Sequence, residues 1–317
     1  MSGLLLRRAH AILTGMAGAD ARTAATDIRV RDGVITEMGR GLAPLPGERV
    51  LDATGCVTYP GWVNTHHHLF QSLLKGIPAG LDLTLTPWLR AVPYAYRGGF
   101  DELTLRLAAR VGLVELLLSG CSTVADHHYL YYPGMGYDAT QALFEEAGKL
   151  GLRFMLLRGG ATKTRDADAD APAHLRTEKL DDLLASVARD VARWHRCGPR
   201  TMTRMAMAPT NLPATLHAHE AREVARAARA MGVPLHSHMS ESVAYQEICA
   251  QVHGCLPLEY AQRHEWVGPD VWYAHLVHLA PAEREILVRS GTGMSHCPQS
   301  NARLASPNFD TPRDVSA

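Results

Sequence analysis

The chain has 317 residues, enough for one large core or two ordinary ones. Its 32 Lys+Arg balance 32 Asp+Glu, so nothing favours a polyanionic partner such as nucleic acid or an acidic membrane surface. No apolar run approaches the length of a membrane span.

The opening MSGLLLRRAHAIL carries only a short apolar stretch before two arginines, the wrong shape for a secretory signal. Six cysteines form no CxxC pair and read as reduced thiols, so the expected location is cytoplasmic. Residues 1–58 read as β-structure. In DIRVRDGVITEMG, Ile28 and Val30 precede Asp32-Gly33, and Val34 and Ile35 follow, which is a hairpin signature.

From residue 59 short apolar strands alternate with longer helical stretches. YPGWVNTHHH is strand one, CSTVADHH two, LRFMLLRGG three and MTRMAMAPTN four. VPLHSHMSE is strand five, DVWYAHLVHL six and SGTGMSHCPQSN seven. Such alternation predicts a parallel sheet, and seven units point to an α/β fold of the (β/α)8 TIM-barrel type, lacking its last strand. The expected barrel occupies 59–305. The tail 306–317, SPNFDTPRDVSA, is polar with no apolar period and is expected to lie outside it. TKTRDADADAPAHLRTEK, after strand three, reads as a solvated lid or insertion.

Seventeen histidines are many for this length, and histidine is the commonest side-chain metal ligand. They gather at strand ends, which in such a barrel face the active site. Strand alternation lets His66 and His68 share a metal while His67 points away. A second HxH, His217 and His219, opens a helix, where residues two apart diverge, so these read as capping or solvent-facing. On strand five His236 lies one layer deeper than His238, and only His238 is well placed beside Glu241. Glu241 reads as a proton shuttle from water to a leaving amine, the alternative being an N-cap partner.

PGWVNTHHHLFQSLLKG, HSHMSE, AHLVHL and SHCPQSN, in this order, resemble the amidohydrolase superfamily, and most closely its mononuclear aminohydrolases such as 8-oxoguanine deaminases. The resemblance implies that residues 1–58 are the N-terminal part of a small β-sandwich. It implies one Zn2+ per chain, with Fe2+ as the alternative, held by His66, His68, His238 and a strand-eight Asp. It implies Glu241 as the catalytic acid–base and His275 as the group orienting water and substrate. Strand four carries no lysine, in line with the one-metal branch. No strand-eight Asp is found; Asp310 and Asp314 lack an apolar strand context. The implied activity is deamination of a purine-type base, foremost 8-oxoguanine, weakened if the chain is C-terminally truncated. Isocytosine, guanine or s-triazines are alternative substrates, and an inactive remnant is the reading of another class. Gln71, Arg158 and His296 are candidate substrate contacts, His296 equally a brace of the strand-seven turn. The expected partner is a small nucleobase-like molecule, with self-association left open.

Overall fold

The structure is a computed structural model that describes residues 3–163 and 173–306. Asp310, Asp314, residues 164–172 of the acidic loop and all of the 306–317 tail except Ser306 lie outside the described residues. The chain divides into two compact units, Met1–Trp62 and Val63–Ala317. Among the described residues no helix is long and apolar enough to cross a membrane.

The first unit holds a four-stranded sheet in the order Val34–Gly39, Asp27–Arg31, Gly3–Arg7, Glu48–Asp52. The Asp-Gly hairpin forms as expected. Arg31 pairs with Val34, and Asp32 and Gly33 have φ of 49° and 77°, the two positive values a type I′ turn needs. Arg22–Thr23, Ala11–Leu13 and Val57–Thr58 form a separate three-stranded sheet. Ala9, Ile12, Ile28 and Ala53 fill this unit's core.

The second unit is built on seven strands: β1 (Trp62–His67), β2 (Cys121–His128), β3 (Arg153–Arg158), β4 (Thr203–Met207), β5 (Leu235–Met239), β6 (Val271–His275) and β7 (Gly293–Ser295). They lie side by side in chain order. β2 through β7 pair in parallel throughout. Helices α1 (Glu102–Leu118), α2 (Ala139–Leu150), α3 (Leu180–Trp194) and α4 (Ala218–Ala230) supply the first crossovers. A parallel pair demands such a crossover because its strands run the same way.

The sheet curls until its ends meet. The Trp272 indole N–H donates to the Thr65 carbonyl at 3.1 Å, and the Thr65 and Ser295 hydroxyls lie 2.7 Å apart. The fold is therefore a nearly closed barrel of the (β/α)8 type. Ala125, Leu157, Ala206 and Ala208 fill its interior, with Met155 and Trp272 against them. The larger core, with Val124, Leu156 and Met205, lies under the helices.

Local signals agree with the elements. The Asp101 carboxylate caps α1 by accepting from the Thr104 N–H at 2.7 Å. His217 stands at the N-cap of α4, its N–H donating to Glu220, so the second HxH is a helix start as expected. Gly112 lets α1 close onto the turn that leaves β1, since a Cβ there would sit 2.5 Å from Ser72 Oγ and 2.8 Å from Leu69.

Candidate metal centre

Alternation along β1 separates the triple histidine as its sequence suggests. The His66 and His68 rings face each other edge-on at 4.7 Å. His67 turns the other way, to Gly112 on α1, and burial pulls its pKa to about 4. From β5, His238 stacks on His68 at 5.2 Å and meets His66 at 4.7 Å. Residues distant in sequence thus bring three imidazoles together.

Their hydrogen bonds fix which nitrogen carries the proton, because a backbone carbonyl only accepts. His68 Nδ1–H donates to the His127 carbonyl at 2.7 Å, and His238 Nδ1–H donates to the Thr210 carbonyl at 2.6 Å. Each ring, neutral, is left with a lone pair on Nε2. These two nitrogens lie 3.2 Å apart. Neither has a proton to share, so the contact is a meeting of lone pairs and calls for a cation. Two nitrogens bound at about 2.0–2.1 Å to one tetrahedral zinc would lie about 3.3 Å apart.

His66 reaches the same state through a relay. His236 Nδ1–H donates to the Trp272 carbonyl at 2.9 Å, so His236 Nε2 accepts from His66 Nδ1–H at 2.9 Å. His66 Nε2 remains buried with no partner. Burial holds all these rings neutral, His68 at about 3 and His66, His236 and His238 well below the ordinary value. The donor set fits a divalent ion that prefers imidazole, as zinc does. His236 orients His66, and loss of a partner that orients a metal-binding histidine weakens metal binding by roughly 10–100-fold. The expected result for His236→Leu is that loss, measured by competition with a chromophoric chelator. His236→Gln, whose side-chain oxygen can still accept, should recover part of it.

Next to the cluster stand the groups suited to proton transfer. Strict alternation would put His275 beside Tyr273, facing the helices. Instead His275 has φ 76° and Leu276 φ 49°, and the ring turns in to stack on His238 at 5.4 Å. Such backbone costs about 1–3 kcal/mol per residue and concentrates at functional sites. Ser240, φ 50°, makes a similar bend just before Glu241. His275 Nδ1 bonds the Asn301 side-chain oxygen at 2.8 Å, which leaves Nε2 facing Glu241 Oε1 at 3.5 Å. Asn301 is fully buried and was not legible as a site residue.

Gln71 donates to the Tyr129 hydroxyl at 3.0 Å, and Tyr129 packs edge-on against His68 at 5.3 Å, so Gln71 belongs to the neighbourhood of the cluster. His296, one residue past β7, is exposed.

Arg158 is not brought to the site, contrary to its expected role. It shares a strand face with Leu156, on the helix side of the sheet. Its guanidinium grips Glu178 through two bonds of 2.8 and 2.7 Å and reaches Ser186 on α3 at 3.0 Å. It also lies 3.6 Å over the Tyr131 ring. His128 shares this outward face, edge-on to Tyr131 at 5.2 Å.

The barrel that carries these histidines is shared with known proteins. A model of the amidohydrolase family matches residues 57–314. Isoxanthopterin deaminase from an unknown prokaryotic organism is 55% identical over 305 residues, covering 95% of this chain and 63% of that protein. The 8-oxoguanine deaminase of Pseudomonas aeruginosa is 36% identical, covering 96% of this chain and 67% of its own. The crystal structure of an atrazine chlorohydrolase from Arthrobacter aurescens TC1 complexed with zinc has a TM-score of 0.87 at 25% identity, over 97% of this chain and 68% of that one. This chain therefore spans 63% of the length of the isoxanthopterin deaminase it matches. A family match across the whole seven-stranded barrel, together with relatives of this identity, establishes that the chain belongs to the amidohydrolase family.

Proposed function

We propose that this chain carries the metal centre of a hydrolytic deaminase acting on a fused, amine-bearing ring such as a pterin or a purine. The observation that carries this reading is the convergence of imidazole lone pairs beside the Glu241–His275 pair. The named activities of two relatives support it, one on isoxanthopterin and one on 8-oxoguanine. Isoxanthopterin is our first choice of substrate, on the higher identity, and 8-oxoguanine the second. Zinc is our reading of the metal, one ion on His66, His68 and His238. When bound, such an ion supplies Lewis-acid activation of water near neutral pH.

The chain's own groups do the rest. Glu241 takes a proton from the attacking water and delivers it to the departing amine, so that ammonia leaves as the C–N bond breaks. Asn301 holds the His275 ring so that Nε2 faces that carboxylate. Gln71, fixed through Tyr129, is placed to meet a ring edge.

Ammonia release from isoxanthopterin, 8-oxoguanine, guanine and an amino-s-triazine tests the reading. The zinc-loaded chain should favour the fused rings, and Glu241→Gln should lower kcat by about 10²–10⁴-fold. Release unaffected by Glu241→Gln would remove Glu241 from the mechanism. Absence of release from every ring would overturn the activity.

A further inference from the structure

One cation at the mouth of the barrel lacks a counter-charge. Arg97 lies between β1 and α1, in the short turn Arg97–Gly99, and is half-buried. Its Nε is buried with no hydrogen-bond partner, and among the described residues no carboxylate pairs with it. A guanidinium does not give up its charge in a protein. Desolvating a charge without a partner is costly, so its retention here points to a ligand that supplies the partner.

Loops leaving three strands meet around this guanidinium, at the end of the barrel where such folds bind substrate. Close to Arg97 in the chain, Phe100 packs edge-on against Phe70 at 5.6 Å, Phe70 against Tyr129 at 5.1 Å and Tyr129 against His68 at 5.3 Å. This row of rings ties the turn to the histidine cluster. Beyond β3, His174 packs so closely that a Cβ on Gly98 would lie 2.6 Å from its Nδ1. The Arg97 charge acts on the phenols of Tyr129, Tyr94 and Tyr132 and on the imidazoles of His128 and His174. Phenols are neutral near pH 7, and burial raises Tyr129 further. None of these groups supplies the missing negative charge. Arg158, by contrast, has Glu178.

We propose that Arg97 is a specificity-determining residue that pairs with an anionic edge of the fused ring, so that this chain selects rings that bind as anions. The inference deepens the deaminase reading and takes the ring from it. Such an edge arises in two ways, from an ionised ring lactam or from a carboxylate substituent. Either sets two acceptors side by side, the nitrogen and oxygen of the lactam or the two carboxylate oxygens. Both match the guanidinium fork.

Binding is read from pterin fluorescence in the zinc-loaded Glu241→Gln chain, which turns the ring over too slowly to interfere. Isoxanthopterin is titrated across the ionisation of its lactam, and a carboxypterin is compared with its uncharged carboxamide. Anionic forms should bind about 30-fold more tightly than neutral ones. Adding Arg97→Gln should erase that preference, and Arg97→Lys, which keeps the charge, should retain part of it. A preference in the lactam arm alone assigns the anion to the ring, and one in the carboxylate arm alone assigns it to a substituent. Equal binding of anion and neutral ring would overturn the proposal, as would a preference that survives Arg97→Gln. With Glu241 intact, Arg97→Gln should raise KM and leave kcat unchanged, the mark of a contact made equally in ground and transition states. Thermal melts separate this from a structural role. Removing an unpaired cation should leave the midpoint unchanged or higher, whereas a fall would reveal a partner within the protein and overturn the ligand pairing. Anion-selective binding without ammonia release would remove the deaminase reading and leave the subsite. Ammonia release with binding indifferent to charge would do the reverse.

Discussion

Stripped of metal by chelation and titrated down from pH 7, the chain is expected to unfold cooperatively between about pH 6 and 4.5. Seven rings set this window: His66, His67, His68, His127, His128, His236 and His238. Burial holds all seven below 6.5 in the folded chain, His67 at about 4 and His68 and His128 at about 3. Above 6.5 neither state binds these protons, so the rings leave stability unchanged. Below it the unfolded chain binds them and the folded chain does not, so each ring removes about 1.4 kcal/mol of stability per pH unit. Asp126 works the other way. Burial raises its carboxyl from 3.8 to about 7, so the folded chain gains that proton first and offsets one ring. The net slope is about 8 kcal/mol per unit, against a typical total of about 5–15 kcal/mol. Far-UV circular dichroism against pH checks it. A native spectrum persisting at pH 4 would mean that the rings are not held neutral. A divalent ion taken up by the folded chain alone should move the midpoint to lower pH.

Arg158→Ala should lower the free energy of unfolding by about 3–5 kcal/mol, because it strands a buried carboxylate. The side chains of Arg158 and Glu178 are only 2% and 11% exposed. Denaturant unfolding of both single variants and the double variant measures the pair directly. The double variant should lose less than the sum of the singles, since removing both partners leaves no uncompensated charge. Because the Arg158 guanidinium lies on the helix side of the sheet, bound to Glu178, KM should stay within about twofold in whatever fraction remains folded. Unchanged stability with a raised KM would reinstate Arg158 as a substrate contact.

Much of the barrel was legible because strand and helix periods differ and turn residues mark their boundaries. β2 runs over Cys121–His128, and the Asp32-Gly33 hairpin follows from two residues that tolerate positive φ. Alternation likewise separates His67 from His66 and His68. The same rule, applied at the end of β3, would have kept Arg158 with Leu156 and away from the mouth. It fails at His275, where a left-handed backbone turns the ring against the alternation. The rest of the site lies in contacts that sequence does not display. The carbonyls of His127, Thr210, Trp272 and Ala208 decide where each imidazole keeps its proton, and every residue has a carbonyl. Asn301 gains its role only once the helix Pro298–Arg303 is seated beside β6.

The meeting of β1 with β6 and β7 also bears on how the chain reaches this state. Thr65 and Ser295 are 230 positions apart, and the His68–His238 contact spans 170. Contacts of such separation form slowly, because a long loop must close before they are rewarded. The histidine cluster therefore assembles among the late events of folding. Uptake of metal during refolding is then a clock for ring closure: helices such as α1 and α2 can form early, but the ion has nowhere to bind until the two ends of the sheet have met.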